Sequence, residues 1–349
     1  MRASDVYTGR ELWKVEVPLG AEPVTDALVR ESVRYARHRQ WGPSASLAPT
    51  TQLVALADAV YLCEGRHCLV FDPNTGQQIG RIDLPEDLDA PWSNLRDVDD
   101  YFVGSSGPHV LCVHRRTGEL LWRVEAARAE LSIAVGGNKV FCAEVANLRR
   151  GEDESRDGSM YALNIASGEQ LWKRQGGSRL RYSPSLDILV TPMGFHRGSD
   201  GEPLPQTVKA PEAGFTVKGR GLPRAGLPGY IAGSRLLTGD EDTLFIYDLP
   251  SGEQIGEALN WVRRGCTSTR ASAKLITTRY RANSAWIDLA SGEISPLLGV
   301  RPGCSVNNNL YPANGVLNIP NLTGGCTCNY APVSMACLPA SVVEGSGGR

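Results

Sequence analysis

The side chains with the greatest chemical potential in this sequence are four cysteines in its last third. The chain has nine cysteines, and four stand in glycine-rich segments: Cys266, Cys304, Cys326 and Cys328. Such cysteines form disulfides, bind Zn²⁺ or remain free thiols. Zn²⁺ sites usually pair cysteines with two to four residues between them, and this spacing is not met here. Two structural disulfides, in which Cys326 and Cys328 have different partners, are the favoured interpretation, and the two alternatives stay open.

Another cysteine pair, Cys63 and Cys68, flanks four residues that suggest a hairpin loop. Cysteines opposite each other on paired strands can be close enough for a disulfide. Two separate thiols are nevertheless the favoured interpretation. Cys112, Cys142 and Cys337 stand in apolar, strand-like runs and are expected to be small core residues.

Motifs for catalysis or metal binding are missing from the sequence. The five histidines are scattered, and neither His-Glu-x-x-His nor Gly-x-Ser-x-Gly occurs. The acidic run at 151–158 lacks the alternating ligand order of a calcium-binding loop, so a solvated loop is favoured. We therefore predict no catalytic residues, no cofactor-binding residues and no metal ligands.

The composition of the 349-residue chain favours neither a nucleic-acid partner nor a membrane-spanning helix. The formal net charge is -2, with basic and acidic residues interspersed, which does not favour nucleic-acid binding. No apolar stretch approaches the roughly 20 residues that a membrane-spanning helix needs. The N-terminus shows no signal-peptide pattern, because a turn motif begins at Asp5.

That turn motif recurs six times and is the element that must position everything else. It reads Asp, Asn or His, two residues, Thr or Ser, then Gly; the glycines are Gly9, Gly76, Gly118, Gly168, Gly252 and Gly292. The first side chain can bond backbone amides just ahead of it, and the glycine accepts positive φ, which predicts a tight turn between two strands. Three copies carry a tryptophan shortly afterwards, and we predict that Trp13, Trp122 and Trp172 dock neighbouring sheets onto each other.

The spacing of the turns predicts a β-propeller. Two intervals between successive turn glycines are about 40 residues, which is typical of a four-stranded propeller blade. The long interval between Gly168 and Gly252 predicts a degenerate blade within residues 185–225. We predict an all-β propeller of about eight blades in a single domain over residues 1–340, followed by a disordered tail at 341–349. The first blade is incomplete, so the chain is interpreted as a possible fragment, and closure would bring residues 334–338 beside the N-terminus.

At this point the chain resembles the PQQ-like repeat family, which includes the propellers of quinoprotein alcohol dehydrogenases and of the outer-membrane-protein assembly lipoprotein. The family's motif, Ala-x-Asp-x-x-Thr-Gly-x-x-x-Trp, is met nearly in full by residues 3–13 and in large part by the copies that end at Trp122 and Trp172. The resemblance implies the propeller fold. It does not decide function, since both dehydrogenases and non-catalytic scaffolds carry the motif.

The C-terminal part is similar to large PQQ-like proteins of planctomycete-type bacteria. The similar segments are Arg264-Gly265-Cys266, Arg301-Pro302-Gly303-Cys304, Asn307-Asn308, Asn314-Gly315-Val316-Leu317 and Gly325-Cys326-Thr327-Cys328. This resemblance implies export to the periplasm or beyond. It also points to four speculative ligand-binding residues, Arg264, Arg279, Arg301 and Asn308; the alternative is that the arginines bond loop carbonyls.

Active quinoprotein dehydrogenases of the family use Ca²⁺, an Asp base and two adjacent cysteines. No two cysteines are adjacent here, so PQQ and Ca²⁺ are not expected. The favoured function is a non-catalytic binding or scaffold propeller of the bacterial cell envelope or exported space, which binds a protein or glycan as a monomer or as part of a larger chain. The alternative is an enzyme, either a degenerate quinoprotein dehydrogenase or one that uses other residues of the propeller channel.

Overall fold

A computed structural model describes the parts of the chain that form the repeats. The described residues are 1–5, 7–8, 10–17, 52–128, 131–144, 158–176, 180–191, 193–205, 230–239, 242–262, 269–281, 283–299, 310–313, 316–319 and 335–337. All regular elements in these ranges are β-strands, so the described part of the chain has no helix, and hence none that could cross a membrane.

The strands are short and follow one another closely. In chain order they are β1 (Arg2–Ser4), β2 (Glu11–Lys14), β3 (Gln52–Ala55), β4 (Val60–Glu64), β5 (His67–Phe71), β6 (Gln78–Asp83), β7 (Trp92–Val98), β8 (Tyr101–Ser106), β9 (His109–His114), β10 (Leu120–Glu125), β11 (Leu131–Gly136), β12 (Lys139–Glu144), β13 (Ser159–Asn164), β14 (Gln170–Gln175), β15 (Arg181–Ser183), β16 (Ile188–Thr191), β17 (Gly194–Arg197), β18 (Tyr230–Ala232), β19 (Arg235–Gly239), β20 (Thr243–Asp248), β21 (Leu259–Asn260), β22 (Arg270–Ala271), β23 (Leu275–Tyr280), β24 (Asn283–Asp288), β25 (Ile294–Leu297), β26 (Tyr311–Ala313), β27 (Val316–Ile319) and β28 (Met335–Cys337).

Consecutive strands pair antiparallel into small sheets. In the described residues five sheets have four strands: β3–β6, β7–β10, β11–β14, β18–β21 and β22–β25. Two sheets have three strands, β15–β17 and β26–β28, and β1 pairs with β2. In every four-stranded sheet the strand order in space equals the order in the chain, which is the meander expected when short turns join neighbouring strands.

The chain divides into two compact units. One consists of residues 1–3 and 12–203, and the other of residues 4–11 and 204–349. In the first unit the first strands of successive sheets lie next to each other, β3 beside β7, β7 beside β11 and β11 beside β15. In the second unit β18 lies beside β22. The single domain over residues 1–340 and the closure by residues 334–338 stay predictions.

The turn motif has the geometry that its residue types predict. Asp72 donates its N–H to the Gln77 carbonyl at 2.9 Å, and Gly76 donates its N–H to the Asp72 carbonyl at 2.9 Å. The Asp72 carboxylate accepts bonds from the amides of Asn74 and Thr75, at 2.9 and 2.8 Å. These bonds, of which the Thr75 amide bond has the largest effect, lower the pKa of Asp72 because they stabilise the charged form.

The other described turn glycines adopt the same conformation. The φ angles are 72° at Gly76, 74° at Gly118, 72° at Gly168, 74° at Gly252 and 74° at Gly292. An L-residue with a side chain is strained in this left-handed region, which explains why glycine recurs at the position. Gly9 lies outside the described residues.

A further turn of the same kind follows the three-stranded sheet β15–β17. Arg197 donates its N–H to the Glu202 carbonyl at 2.8 Å, and Gly201 donates to the Arg197 carbonyl at 2.8 Å, with φ of 73° at Gly201. Asp200 takes the place of the usual Thr or Ser and accepts the Glu202 N–H at 3.0 Å. This sheet overlaps the first part of residues 185–225, where the long interval predicts a degenerate blade, and residues 206–225 lie outside the described part of the chain. Sequence inspection missed its turn because Arg197 and Asp200 depart from the motif.

Apolar side chains fill the spaces between neighbouring sheets. One core cluster lies between β3–β6 and β7–β10, a second between β7–β10 and β11–β14, and a third between β11–β14 and β15–β17. In the second unit a cluster lies between β18–β21 and β22–β25. The sheets β7–β10 and β11–β14 therefore bury both faces, which fits the near-continuous apolar runs of their middle strands.

Trp122 joins its sheet to the turn of the next one. From β10 it donates its indole N–H to the Ile165 carbonyl at 2.7 Å, and its ring covers Gly168, where a Cβ would be only 2.7 Å from the Trp122 Cγ. Trp13 and Trp172 make the same contacts, with Pro73 and Gly76 and with Gly198 and Gly201 respectively. In all three cases the acceptor is the carbonyl of the second turn residue.

We call such a contact between one sheet and the turn of the next sheet a joint. Where Gly80 stands at the tryptophan position, other side chains make an equivalent joint. The Tyr61 hydroxyl donates to the Arg115 carbonyl at 3.2 Å, and Arg115 is again the second turn residue. Ile82 covers Gly118, at 3.3 Å from the position of a Cβ. The joint thus keeps its hydrogen bond and its apolar cover although the tryptophan is absent.

A second joint without tryptophan lies in the other unit, where Gly256 takes the tryptophan position. Arg235 donates Nη1–H to the carbonyl of Leu289, the second turn residue, at 2.9 Å. The side chain of Leu259 covers Gly292, at 3.1 Å from the position of a Cβ. A charged donor satisfies the same carbonyl here.

Arg115 also forms an ion pair across its joint. Its guanidinium reaches both carboxylate oxygens of Asp58, at 2.8 and 3.1 Å, and donates Nε–H to the Asp99 carbonyl at 2.6 Å. The hydrogen bond from Arg115 is the largest cause that lowers the pKa of Asp58. Two-point contact fixes the orientation of the guanidinium, and so helps to hold this joint where no indole is present.

The joints predict different responses of two glycines to the same substitution. Gly168 and Gly256 both have positive φ, 72° and 66°, but only Gly168 is covered by a ring, and no atom lies within 4 Å of a Cβ at Gly256. In both Ala variants, backbone strain should lower the free energy of unfolding by about 1–2 kcal/mol. Gly168→Ala should lower the free energy of unfolding by a further 1–3 kcal/mol, roughly, because the added methyl group displaces the Trp122 ring. Urea unfolding measures the free energy of unfolding of both variants. Equal decreases in Gly168→Ala and Gly256→Ala would contradict the packing of Trp122 on Gly168.

Candidate functional site

Most of the speculative ligand-binding residues and all four candidate disulfide cysteines fall outside the described part of the chain. These residues are Arg264, Arg301, Asn308, Cys266, Cys304, Cys326 and Cys328. The ligand role and the disulfides therefore stay predictions. The described turn glycines close the turns between strands, and the three tryptophans pack on the turn of the next sheet, as described under the overall fold.

Arg279 is the one described residue of the speculative ligand set, and it is buried. It stands on β23 opposite Ser284 of β24, and its exposed fraction is 1 %. Thr277 and Thr278, the preceding residues on the same strand, are buried too. Arg279 is thus a buried residue of the sheet β22–β25, and its role in ligand binding stays a prediction.

Cys63 and Cys68 form a disulfide across β4 and β5. The two cysteines are directly paired in the strand register, and both are fully buried. The loop between the strands is shorter than the four residues expected, because β4 continues to Glu64 and β5 begins at His67. The favoured interpretation of two separate thiols is wrong, since direct cross-strand pairing brings the two sulfur atoms within bonding reach.

Two other cysteines are buried free thiols in the sheet cores, as expected. Cys112 and Cys142 have no exposed surface, and they belong to the same apolar cluster between β7–β10 and β11–β14. Burial raises the pKa of both thiols to about 12, because the interior disfavours the thiolate. Cys337 lies on β28, and its side chain is outside the described part.

A repeated pair of exposed side chains lies on the outermost strands of the first unit. Directly before each tryptophan position there is an exposed aliphatic residue, and a basic residue follows two positions later. The pairs, here called the outer-strand surface, are Leu12 with Lys14, Ile79 with Arg81, Leu121 with Arg123 and Leu171 with Lys173. Ile79, Leu121 and Leu171 each stand at a register shift of their strand, as the extra residue that has no partner in the register.

The strands that carry this surface are sheet edges. Within the described residues β6, β10 and β14 each stand at the end of their sheet and pair on one side only, with β5, β9 and β13. The other side of such a strand presents backbone N–H and C=O groups that a further strand can pair with. Sequence inspection missed this surface, although its signal, an aliphatic residue directly before the tryptophan position and a basic residue directly after it, stands in four copies.

Charged partners of the outer-strand surface are themselves exposed. Arg123 binds Asp87 at 2.6 Å, and Arg81 binds Asp83 at 2.6 Å. Lys173 lies 5.8 Å from the centre of the Tyr161 ring on the neighbouring strand. Exposed ion pairs contribute little free energy, so these cations can exchange their partners for those of a bound molecule at small cost.

The described residues contain no set of groups for metal chemistry. In the ranges given above, no three His, Cys, Asp or Glu side chains stand close enough together to hold a metal ion. The chemistry that the outer-strand surface offers is non-covalent, since it combines aliphatic contact, positive charge and open backbone hydrogen-bonding groups.

Comparison with known proteins extends the repeat analysis. The family model described as "Outer membrane protein assembly factor BamB" matches residues 66–199, a segment that contains three of the turn motifs and two of the joint tryptophans. Residues 66–199 are PQQ-like propeller repeats. The predicted fold class, an all-β propeller with four-stranded blades, is confirmed, while the number of blades stays a prediction. Outside the matched segment, turns with the same hydrogen bonds begin at Asp248 and Asp288.

A solved structure is similar to the chain as well. The crystal structure of BamB from Moraxella catarrhalis has a TM-score of 0.44 and 13 % sequence identity, over 75 % of this chain and 76 % of that chain. Among curated proteins, no sequence matches this one.

Four described cysteines, Cys63, Cys68, Cys112 and Cys142, should fall into two classes when alkylated with iodoacetamide. With pKa values of about 12, only about one in ten thousand molecules of Cys112 or Cys142 carries the reactive thiolate at pH 8. Both should therefore stay unlabelled in the native protein and react in denaturant. Cys63 and Cys68 should react only when denaturant and a reductant are both present. Mass spectrometry locates the labels; native labelling of Cys112, or labelling of Cys63 without reductant, would contradict the assignment.

Proposed function

We propose that the chain is a non-catalytic binding or scaffold propeller whose partner is a protein segment bound on the outer-strand surface. The observation that carries the proposal is the repetition of an exposed aliphatic and basic pair on the edge strands of successive sheets. The exposed fractions of the aliphatic side chains are 52 % for Leu12, 59 % for Ile79, 36 % for Leu121 and 44 % for Leu171.

The chemistry of this surface favours an extended, acidic and partly apolar segment. An added strand can pair with the open backbone groups of β10 or β14. Its alternate side chains would meet Leu121 and Arg123, or Leu171 and Lys173. Apolar contact supplies affinity there and opposite charge supplies orientation, so a protein segment fits better than a glycan.

We place the protein in the cell envelope or exported space. Disulfides persist in oxidising compartments and are rare in the bacterial cytosol, and Cys63 and Cys68 are joined in a disulfide. The matched family is described as an outer membrane protein assembly factor, which supports the same compartment and a role in assembling other proteins.

Binding by this surface requires neither PQQ nor Ca²⁺. The competing enzyme hypothesis predicts that PQQ and Ca²⁺ added to the purified chain give a saturable absorbance of bound quinone. The scaffold proposal predicts no saturation, and a saturable signal would favour the degenerate quinoprotein.

Charge substitutions on the edge strands test the partner surface. Leu121→Asp and Leu171→Asp remove the apolar contact and place a negative charge against an acidic segment, so partner recovery should fall about tenfold for each variant. Leu298→Asp is the matched control, because Leu298 is 79 % exposed and lies in the other unit.

Recovery is measured by cross-linking the tagged protein in isolated cell envelopes and quantifying each cross-linked protein by mass spectrometry. The urea midpoint of every variant should equal that of the wild type, since the replaced side chains are exposed. The proposal fails if the two edge-strand variants recover the same proteins in the same amounts as Leu298→Asp.

A further inference from the structure

We propose that His196 makes the joint between β11–β14 and β15–β17 sensitive to acid, because protonation of its buried ring loosens the turn at 197–201 from Trp172. Three observations carry the proposal. They are the bond of the ring to Gly201, the burial of its second nitrogen, and the residue types at the equivalent position of the other sheets. None of them involves the outer-strand surface.

His196 lies on the face of its sheet that packs on the preceding sheet. It stands on β17, is directly paired with Leu189 of β16, and has an exposed fraction of 5 %. Directly paired residues direct their side chains to the same face of a sheet. Leu189 belongs to the apolar cluster between β11–β14 and β15–β17. The ring of His196 therefore lies against the apolar side chains that hold the two sheets together.

The first ring nitrogen of His196 holds the glycine that Trp172 covers. Nδ1 lies 3.2 Å from the carbonyl oxygen of Gly201. Because a carbonyl oxygen only accepts hydrogen bonds, Nδ1 carries the hydrogen. Gly201 has a φ of 73°, and a Cβ there would be 2.7 Å from Cε3 of Trp172. His196 and Trp172 thus fix the same residue, one through its carbonyl and the other through ring contact.

The second ring nitrogen has no partner for a hydrogen. Nε2 of His196 is buried, and in the described part of the chain no group forms a hydrogen bond with it. In the neutral ring Nε2 is an acceptor without a hydrogen, whereas in the charged ring it is a donor. A proton on Nε2 therefore places a positive charge and an unsatisfied donor among apolar side chains. This favours a turn that opens to water.

The charged and titratable groups of the elements around the ring are paired with one another. The pairs in the described residues are Arg174 with Glu202 at 2.6 Å, Arg197 with Asp200 at 2.6 Å, and Asp187 with the Tyr182 hydroxyl at 2.8 Å and with Lys139 Nζ at 3.6 Å. Burial is the largest cause that lowers the pKa of His196, while the bond to Gly201 and the charge of Glu202 act in the opposite direction. The lowered pKa agrees with a ring that is neutral in the folded protein at pH 7.

The position of His196 holds a different kind of residue in the other described turns. It is the residue directly before the turn, and five turns have a buried residue there that stays uncharged between pH 5 and 8: Phe71, Val113, Leu163, Tyr247 and Ile287. Among these six turns, only the one that Trp172 covers has a residue there that gains charge in this range. The equivalent joint, in which Trp122 covers Gly168, has Leu163 at this position.

Acid favours the open turn because exposure to water restores the ordinary pKa of the ring. A histidine in water gains its proton near pH 6.5, and the buried His196 gains it at a lower pH. Below pH 6.5 the opened or unfolded chain therefore binds more protons than the folded chain. Stability that is fully present at pH 7.5 is consequently lost as the pH falls toward 5.

The acid-sensitive joint also regulates part of the outer-strand surface. Trp172 lies on β14 between Leu171 and Lys173, so a turn that leaves Trp172 changes the support of these two exposed side chains. This consequence rests on the proposed function, whereas the acid response of the joint is measured without a partner. Failure of the one is therefore distinguishable from failure of the other.

Urea unfolding of the full chain at pH 7.5 and pH 5 tests the acid response. The equilibrium constant of unfolding should rise with acid roughly tenfold more in the wild type than in His196→Leu, which gives the joint the residue type of Leu163. His196→Asn keeps a donor for the Gly201 carbonyl without a group that titrates, and should behave like His196→Leu. His67→Asn is the control: His67 is half-exposed, and the acid response of this variant should stay within about threefold of the wild type.

Exchange of indole protons locates the effect in the joint. At pH 5 the protection of the Trp172 indole proton relative to that of Trp122 should be about tenfold lower than at pH 7.5, and His196→Leu should abolish this change. Trp122 is the internal reference, because its joint has Leu163 in place of histidine. The proposal is overturned if both non-titrating variants lose as much stability in acid as the wild type, or if the relative protection of Trp172 is the same at both pH values.

Discussion

Five joints between neighbouring sheets depend on a single backbone carbonyl, that of the second turn residue. The turn directs this carbonyl toward the preceding sheet, where it meets side chains of a core that excludes water. A buried carbonyl without a donor costs about 1–3 kcal/mol, and at each of these five joints the preceding sheet presents a donor. The indole of Trp122 does so at 2.7 Å, and its ring then covers the glycine that closes the same turn.

This requirement explains why the tryptophan is frequent in the repeats without being obligatory. Where Gly80 stands at the tryptophan position, Tyr61 supplies the donor from the second strand, and Arg115 adds an ion pair with Asp58. Where Gly256 stands there, Arg235 supplies the donor. The three solutions share the acceptor and differ in the donor, so sequence can vary at each joint while the distance between sheets is kept.

Much of this architecture could be predicted from the sequence because turns are local. The Asp, Thr and Gly of the motif at 72–76 contact one another within five residues, so their types alone predict the hydrogen bonds. Joints without tryptophan could not be predicted in this way, since Tyr61 and Arg115 are 54 positions apart and no repeated pattern connects them. The disulfide of Cys63 and Cys68 was misjudged because loop length, and hence strand register, decides whether two cysteines face each other.

The central claim, that the indole N–H groups bond the turn carbonyls of the next sheet, is tested most directly by hydrogen exchange of tryptophan indole protons. In ¹⁵N-tryptophan-labelled protein, with signals assigned by Trp→Phe variants, the account predicts that the Trp122 and Trp172 indole protons persist in D₂O after the exposed indole protons have exchanged. Exchange of both at the rate of a free tryptophan indole would contradict the joint.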